Sequence, residues 1–587
     1  METPRPFAEI IFYPRLKVYT GIPHGSIAKC CFAVRAVIDS SKQRGAPTMP
    51  NPLWNRLTSR GLSRRALFQR GSVLAAAHAL GTGMEQTASA DAMQPGNIYR
   101  SIGVRPVINA RGTFTIITGS TTLPEVKSAM EEASRSFVNM DELMEGVGKR
   151  LAELSGAEWG IVTAGCCAAI THFTASTIAG GNPERMQRLP NLSGLKSEVI
   201  VPAYSHNVYD HAVRMLGTKL IVVHDRADLE GAFNERTAMV YILAGPGDDG
   251  PLGTQAISEV ARRKNVPVLV DAAAEILTLK PNVHLQRGAS AVAYSGGKCI
   301  RGPQAAGLLL GEKSLIQGAW INSAPHHAFG RSVKVGKEEV MGMLAAVEMW
   351  VKRDHKAEWK QWEGWLDQIA TSVKRVDGVT TQLRQPSADL SNRTPSLVIT
   401  WDGAKLGITG QEAAKHLLDT DPRIVVAGSS GVRGGNMASS VSVVPYQMTP
   451  GDEKVVADRL YATLSKPPKF DTPAQPEGQP TAVAGQWELH MEFVRGSVNH
   501  KLVLEQDGGK LMGTHEGEFA AGDLTGTVAG NSVRFQSGYG TEGTRVSYQF
   551  TGKLEGDKMS GTVSLGEYGD ASWTAERHQY RTGTRRG

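Results

Sequence analysis

Short runs of apolar residues recur between about residue 97 and residue 350, and segments with helical spacing separate them. The runs are rich in Val, Ile and Leu with little alternation, which is typical of strands buried on both faces of a parallel sheet. We therefore predict that residues 93–350 form one large α/β domain, with a mostly parallel seven-stranded sheet and helical connections. The predicted strands are 159–164, 198–204, 219–224, 239–244, 267–271, 291–294 and 306–310.

A longer helical pattern follows from residue 337 to about residue 374. Its early apolar residues Met341, Leu344 and Val347 are spaced to share one helix face. Beyond it, short strand patterns alternate with helical ones, so residues 351–465 are expected to form a smaller α+β domain. Its predicted strands are 396–400 and 440–444, and its predicted helices are 411–418 and 453–464.

The pattern changes again after residue 465. Residues 466–483 form a Pro-rich linker, and residues 484–578 show short strands and glycine turns that begin near Trp487 and end near Trp573. This pattern predicts an antiparallel barrel or sandwich. Three repeats place Gly-Thr two residues after Leu or Met, at 511–514, 524–527 and 559–562. Three histidines are expected to face solvent, because no second metal-ligand type recurs at fixed spacing: His490, His500 and His515.

The positive charge of the chain is confined to its N-terminal segment. Residues 1–92 hold 12 Lys and Arg against 5 Asp and Glu, which accounts for the whole net charge of +7 and leaves 52 residues of each sign in the remainder. The high pI is therefore poor support for a nucleic-acid surface on the folded body, and no nucleic-acid partner is expected.

The same segment resembles a twin-arginine export signal. Arg64 and Arg65 precede a weakly apolar run at 71–80, and small residues suited to a signal peptidase follow at 88–90. The run is too short and Ala-rich for a permanent membrane anchor. The alternative is an ordinary amphipathic helix with two basic residues. Because export signals sit at the true N-terminus, Met49 is a plausible start, and 1–48 an annotation artefact.

Cysteine usage indicates neither a disulfide framework nor a metal site. Cys30 and Cys31 fall in the leader, Cys166 and Cys167 are adjacent, and Cys299 is alone. No pair has the CxxC spacing of a metal site, and no metal is expected. We expect Cys166, Cys167 and Cys299 to be small buried residues rather than nucleophiles.

Candidate chemistry clusters where predicted strands end. Lys298 follows Gly296 and Gly297 directly after a strand, and the two glycines let the backbone turn closely around a cofactor. Asp271 ends another predicted strand, where ligand crevices open in such sheets. Ser295, three residues before the lysine, is placed to donate a hydrogen bond to a phosphate.

Two further segments complete the pattern. Gly165, Cys166 and Cys167 lie where a strand joins a helix, and the free N–H groups and dipole of such a helix start attract a phosphate. His206 follows the strand ending at residue 204 and is placed to stack on a ring. A lysine for a Schiff base, a carboxylate for a pyridine nitrogen, a phosphate cradle and a flat side chain are what pyridoxal 5′-phosphate (PLP) requires.

Each feature alone has a plainer explanation. A lysine after two glycines is usually a turn residue, a strand-ending aspartate is often a helix cap, and a lone histidine is more often structural than catalytic. The joint order of the features is harder to explain by chance.

Four segments resemble the selenocysteine synthase superfamily of PLP enzymes, over about residues 97–465. They are 107–113, 205–211, 295–307 and 330–339. Within the superfamily, the match is best to the branch of D-glucosaminate-6-phosphate ammonia lyase. The resemblance implies the aspartate aminotransferase type of fold, with Lys298 as the PLP lysine, Asp271 at the pyridine nitrogen and His206 stacked on the ring.

Enzymes of this fold commonly complete their sites across a two-fold interface, so a homodimer or higher oligomer is expected. The candidate substrate contacts are Asn109, Arg111, Arg331 and Lys334.

Three functions fit these patterns. The first is an exported PLP lyase that acts on an amino acid or amino sugar acid by α,β-elimination. The second is a selenium transferase acting on seryl-tRNA, which the neutral body, the absence of a basic RNA-binding domain after the leader and the export signal disfavour. The third is a non-catalytic binding protein on a PLP scaffold, disfavoured because all four cofactor elements are present.

Overall fold

A computed structural model describes residues 97–245, 248, 250–386, 394–429, 438–470 and 478–579. Residues from Pro95 onward belong to one compact unit. The predicted leader, 1–92, with its twin arginines, lies outside the described residues. Within the described ranges, no helix is long and apolar enough to cross a membrane.

A seven-stranded sheet forms the centre of the large domain. It follows a short helix, α1 (Asn97–Arg100), and a two-residue strand, β1 (Ile108–Asn109). Its strands are β2 (Trp159–Thr163), β3 (Glu198–Pro202), β4 (Lys219–Val223), β5 (Thr237–Leu243), β6 (Val268–Asp271), β7 (Ala291–Ser295) and β8 (Gly307–Gly311). They lie in the order β2-β8-β7-β6-β5-β3-β4, and only the pairs that involve β8 are antiparallel. The predicted mostly parallel sheet is confirmed.

Helices cover the sheet and explain the apolar character of its strands. Every residue of β2, β3, β6 and β8 is buried, as expected when both faces of a strand are covered. The helices of this domain are α2 (Pro124–Ser134), α3 (Met140–Ser155), α4 (Gly165–Ala179), α5 (Pro183–Arg188), α6 (His211–Arg214), α7 (Arg226–Ala232), α8 (Thr254–Arg263), α9 (Val283–Gln286), α10 (Lys313–Ile321) and α11 (Lys337–Lys352).

The helical pattern at 337–374 is two helices rather than one. Helix α11 ends at Lys352, and the next helix, α12 (His355–Val373), begins after Asp354, whose side chain accepts hydrogen bonds from two backbone N–H groups of its first turn. The buried face of α11 consists of Val340, Gly342, Met343, Ala346 and Val347, whereas Met341 and Leu344 are only half-buried. The predicted apolar face of α11 therefore lies about one residue C-terminal to the face that is buried.

A smaller α+β domain follows. Its remaining helices are α13 (Gly403–Leu406), α14 (Gly410–Asp419) and α15 (Asp452–Ser465), and its strands are β9 (Thr380–Arg384), β10 (Ser396–Trp401), β11 (Ile424–Val425), β12 (Ala427–Gly428) and β13 (Ser439–Val443). Strand β1 pairs in parallel with β11, and Ala110 is buried in this domain's core. The sequence reading placed residues 108–110 in the large domain. That was wrong, because a two-residue strand gives no periodic signal and its partner lies more than 300 residues away.

The C-terminal region is a closed antiparallel barrel of eight strands, which decides between the two predicted forms. The strands are β14 (Gly485–Glu492), β15 (Ser497–Asp507), β16 (Lys510–Glu516), β17 (Ala521–Ala529), β18 (Ser532–Thr541), β19 (Thr544–Glu555), β20 (Lys558–Ser564) and β21 (Asp570–Arg577). Trp487 and Trp573 are buried in its core. The repeated glycines lie where a Cβ atom would collide with the backbone of the neighbouring strand: Gly513, Gly526 and Gly561. The repeat therefore marks close strand approaches.

Two barrel histidines are buried, contrary to the sequence expectation. His515 is fully buried and His500 is 6% exposed. The ring nitrogens His500 Nδ1 and His515 Nε2 are 2.8 Å apart, and His515 Nδ1 is 2.6 Å from the Ser537 hydroxyl. Only His490 is accessible at the surface. His500 and His515 occupy inward-facing positions of the alternating strand pattern. Each ring is hydrogen-bonded to a polar partner inside the barrel, which makes its burial possible.

We expect this histidine pair to make the barrel sensitive to acid. Burial lowers the pKa of His515 from its usual value of 6.5 to about 4. The unfolded chain therefore binds a proton between pH 6.5 and pH 4 while the folded barrel does not, so stability is complete above pH 6.5 and falls as the pH decreases through this window. The loss approaches about 3 kcal/mol for this group.

The measurement is the midpoint of calorimetric unfolding of the barrel across this pH window. His515→Asn should flatten the pH dependence, and His490→Asn is the matched control at an accessible strand position and should leave it unchanged. An equally steep dependence in His515→Asn would show that another group carries it.

Candidate active site

The carboxyl ends of six strands meet at one edge of the large sheet. Thr163, Gly307 and Ser295 lie side by side in register on β2, β8 and β7. Leu243 and Asp271 lie side by side where β5 and β6 end. The antiparallel strand β8 begins at this edge, so the turn after β2 and the loop after β7 are neighbours. The structure thus brings Ser295, Asp271 and the start of α4 to one edge, as the sequence predicts.

Asp271 is a buried carboxylate with three donors. It is 2% exposed. Its Oδ2 accepts a hydrogen bond from the Tyr241 hydroxyl at 2.9 Å, and its Oδ1 accepts from the Ala273 N–H at 2.9 Å and from the Cys166 thiol at 3.5 Å. Burial raises the pKa of Asp271 above its usual range, and the three donors and the charge of Lys298 oppose that rise.

Lys298 lies in the loop that follows β7 and is half-buried. Its ammonium lowers the pKa values of Asp271, Cys166 and Cys167 against the larger effect of burial, so its charge acts on all three. Lys298 therefore lies within electrostatic range of the buried carboxylate and of the first turn of α4.

The two glycines before Lys298 are required by the close packing of their own loop. A Cβ atom at Gly296 would lie 2.9 Å from the carbonyl oxygens of Pro303 and Ala306, and one at Gly297 would lie 2.7 Å from the Cα of Gln304. The loop folds back on itself, and Gly296 N–H donates to the Ala306 carbonyl at 2.8 Å. The glycines are required by the backbone that follows the lysine, and their close approach to a cofactor stays a prediction.

Helix α4 begins with a turn that only glycine tolerates. Gly165 has φ +81°, and a Cβ atom at Gly307 of β8 would collide with its carbonyl group. Close packing thus accounts for Gly307, and the positive φ accounts for Gly165. The Gly165 carbonyl accepts a hydrogen bond from the Thr163 hydroxyl. This helix start is a suitable anion site, because the first N–H groups of a helix have no partner within the helix.

The cysteines differ in exposure. Cys166 is buried and Cys299 is half-buried, but Cys167 is exposed, so the expectation that all three are buried was wrong for Cys167. Burial raises the pKa values of all three thiols, to about 11 for Cys299. They are therefore protonated at neutral pH, which agrees with the prediction that they are not nucleophiles.

His206 is held by an aspartate that the sequence reading passed over. Its Nδ1 bonds the carboxylate of Asp210, whose Oδ2 also accepts the Asn207 N–H at 3.1 Å. Asp210 is fully buried, whereas 26% of the His206 side chain is exposed. A capping box, in which Asn207 and Asp210 each cap the other's backbone, closes a 3-10 turn at Val208–Asp210. The single turn of α6 follows this 3-10 turn directly.

Two tyrosines were also missed. Tyr241 lies on β5 and contacts Asp271, and a buried tyrosine hydroxyl generally requires such a partner, which was the available signal. Tyr209 is half-exposed, and burial raises its pKa, with smaller contributions from the charges of Cys167 and Asp271. Tyr209 therefore lies within electrostatic range of Cys167 and Asp271.

The structure places the candidate substrate residues at two locations. The Asn109 side chain accepts hydrogen bonds from the N–H groups of Arg111 and Gly112 and donates to the carbonyls of Gly112 and Gly119, so it holds its own turn. That turn contacts the lysine loop, because a Cβ atom at Gly119 would lie 2.7 Å from the Gly297 carbonyl oxygen. A substrate contact of Asn109 stays a prediction and would compete with these bonds.

The three charged candidates are all exposed. The guanidinium of Arg111 lies 4.6 Å from the centroid of the Phe114 ring. Arg331 and Lys334 lie in the segment before α11. Their substrate roles stay predictions.

The pocket fits PLP on the evidence of its own residues. It combines a buried carboxylate that is already supplied with donors, a lysine whose charge acts on that carboxylate, and a glycine-initiated helix start at the same sheet edge. These groups match the pyridine nitrogen, the aldehyde and the phosphate of the cofactor. Fold and site together define a PLP-dependent enzyme of the aspartate aminotransferase fold type.

Comparison with known proteins supports this class of enzyme. The chain is 30% identical over 333 residues to a D-glucosaminate-6-phosphate ammonia lyase of Salmonella typhimurium, a match that spans 55% of this chain and 86% of the relative. The chain belongs to the family of that lyase, within the selenocysteine synthase superfamily of PLP enzymes. A solved D-glucosaminate-6-phosphate ammonia-lyase structure matches with a TM-score of 0.56 and 27% identity, over 63% of this chain and 98% of the other.

More distant relatives carry other activities in their names. A 5′-C-glycyluridine monooxygenase-decarboxylase of Streptomyces sp. is 26% identical over 62% of this chain and 92% of its own length. An L-seryl-tRNA(Sec) selenium transferase of Moorella thermoacetica is 26% identical over 44% of this chain and 59% of its own length. No protein-family model matches the sequence. The scaffold is thus shared by proteins named for different reactions.

Proposed function

We propose that this PLP-dependent enzyme is an exported, homo-oligomeric lyase that removes ammonia from an amino acid or amino sugar acid by α,β-elimination. The observation that carries the proposal is the arrangement of Lys298 and Asp271 at one sheet edge, where the charge of the lysine acts on the buried carboxylate. The similarity to an ammonia lyase supports elimination over other PLP reactions.

Each residue of the pocket has a distinct task in this proposal. When bound, PLP supplies an electron sink for negative charge that develops at the substrate Cα. Lys298 would hold the cofactor covalently and, once free, would move the substrate Cα proton at its Nζ. Asp271 keeps the pyridine nitrogen protonated, and Tyr241 and Ala273 orient its carboxylate.

The remaining residues bind and orient the cofactor. The N–H groups at Gly165, Cys166 and Cys167, together with the Ser295 hydroxyl, hold the phosphate. His206 covers one ring face, and Asp210 fixes its orientation. These contacts use the local structure of the sheet edge and leave substrate choice to the surrounding loops.

The test is product analysis with the purified holoenzyme. Amino acids with a β-hydroxyl group and 2-amino-2-deoxy sugar acids, with and without phosphate, are incubated with enzyme, and ammonia and 2-keto acid are measured. Elimination requires the two products in equal amounts. Oxygen-dependent release of carbon dioxide, or transfer without free ammonia, would contradict the proposal.

The proposal that the enzyme is exported rests on the sequence of the leader. The twin-arginine route moves folded proteins, which suits an enzyme that must bind a cytoplasmic cofactor before transport. Cofactor binding to the native state alone stabilises it by about 2.7 kcal/mol at a hundredfold excess over Kd. We expect Arg64→Lys with Arg65→Lys to leave active holoenzyme in the cytoplasm, because charge is kept and guanidinium geometry is lost.

Cell fractionation with activity measurement in each fraction tests this expectation. Arg60→Lys with Arg70→Lys is the matched control, because it makes the same change at flanking positions of the leader. Full export of the Arg64 and Arg65 double variant would refute the twin-arginine assignment.

A further inference from the structure

The C-terminal barrel contacts the loop that carries His206. Strands β18 and β19 are joined by a two-residue turn, Glu542 and Gly543, and both residues have positive φ, +47° and +74°. A Cβ atom at Gly543 would lie 2.6 Å from the backbone nitrogen of Asn207 and 2.7 Å from its carbonyl oxygen. The turn therefore packs directly on the residue after His206, at a distance that only glycine permits.

An ion pair flanks this contact. Arg214 Nε of α6 lies 3.4 Å from Glu542 Oε2, and the Arg214 side chain is 22% exposed. Helix α6 follows directly from the 3-10 turn that contains Asp210. The barrel turn thus contacts both ends of the segment 207–214, through packing at one end and through charge at the other.

A second barrel turn lies near the same segment. The charge of Glu567, in the short 3-10 helix Gly566–Tyr568, contributes to the raised pKa of Tyr209, after burial and the charges of Cys167, Asp271 and Cys166. Tyr209 is therefore within electrostatic range of both the pocket and the barrel.

The inner side of the loop is fixed by Asp210, Ala212 and Val213, which are buried, and by the capping box. Its outer face, with Val208 and Tyr209, is exposed to solvent. The backbone on that outer face is expected to open locally more readily than the buried side unless something packs on it. The side chain that it must orient, His206, is itself partly exposed.

We propose that the barrel turn Glu542–Gly543 is a positioning element of the cofactor site, which holds the segment 206–210 so that His206 can contact bound PLP. This proposal rests on the cofactor contact proposed above for His206. The barrel then has a role in the enzyme itself, because its turn and the cofactor site are coupled through backbone packing of Gly543 on Asn207.

The test compares two glycines at opposite ends of strand β19. Gly543→Ala places a methyl group against Asn207, whereas Gly556→Ala places one in open space at a two-residue turn with a similar φ of +60°. Both variants introduce the same kind of backbone strain. PLP affinity is measured by titration of the apoenzyme, and the mobility of residues 206–210 is measured by hydrogen exchange.

We expect Gly543→Ala to weaken PLP binding at least tenfold and to speed exchange in the segment, and Gly556→Ala to change neither beyond twofold. Unchanged exchange in Gly543→Ala overturns the proposal. Faster exchange with unchanged affinity also overturns the positioning role, and His206→Ala then separates the causes. Unchanged affinity in His206→Ala means that the cofactor contact of His206 is wrong, whereas weakened affinity means that the barrel turn is dispensable.

A charge exchange keeps the proposal testable if Gly543→Ala does not fold. Glu542→Arg and Arg214→Glu each place like charges together, and the double variant restores an opposite pair. Because the pair is partly exposed, each single change should weaken PLP binding by about two- to fivefold. Recovery in the double variant supports the proposal, and an absence of any effect in the single variants counts against it.

Discussion

Lys298→Ala is expected to abolish turnover while leaving the fold intact. In the proposed function the lysine supplies the covalent link and carries the Cα proton, so its loss should lower kcat by at least about 10³-fold. The fold should survive because the loop is held by backbone bonds that alanine keeps, among them Arg301 N–H to the Lys298 carbonyl at 3.0 Å and Gly302 N–H to the Gly296 carbonyl at 2.8 Å.

Turnover, visible absorbance and circular dichroism measure the three parts of this expectation. Borohydride treatment of the wild-type holoenzyme should add the cofactor mass to the peptide containing Lys298, and the variant should lack both this adduct and the absorbance of the linked cofactor. Lys264→Ala is the control, because Lys264 is exposed at the amino end of β6. Near-normal turnover in Lys298→Ala without added amine would assign the chemistry to another residue.

Asp271→Asn is expected to lower turnover far more than PLP affinity. A neutral amide cannot keep the pyridine nitrogen protonated, so kcat should fall by about 10²- to 10⁴-fold. The phosphate contacts lie on other elements, so PLP affinity should change less than tenfold. The amide oxygen can still accept the Ala273 N–H, and the amide nitrogen can donate to the Tyr241 hydroxyl, which leaves few buried groups unpaired.

Tyr241→Phe is the matched comparison for this variant. It removes the donor to Oδ2 but keeps the carboxylate, so turnover should fall by about tenfold, the lower end of the effect of one hydrogen bond to a charged group, since the Ala273 N–H and the Cys166 thiol still donate. Equal losses in the two variants would mean that orientation rather than charge is the contribution of Asp271. Unchanged turnover in Asp271→Asn would exclude it as the ring partner.

The candidate residues that the sequence predicted and the structure brings to one sheet edge are those whose neighbours along the chain carry the signal. Lys298 and Asp271 follow apolar strand patterns, and Gly165 marks a strand–helix turn. The carboxyl ends of parallel strands share one edge, so local pattern was enough to bring these residues together. Asp210 and Tyr241 were missed because their roles depend on contacts with His206 and Asp271, and the contact of Tyr241 spans 30 residues.

By itself, the sequence determined the elements, the class of fold and the main cofactor candidates, since periodicity and strand-end residues are local properties. Only the tertiary structure decided the pairing of β1 with β11, the closure of the barrel, the burial of His500 and His515, and the contact of Gly543 with Asn207. Each of these joins segments through packing or hydrogen bonds across the fold. Such contacts depend on which surfaces meet, and a pattern read along one stretch of chain contains no information about the stretch that will cover it.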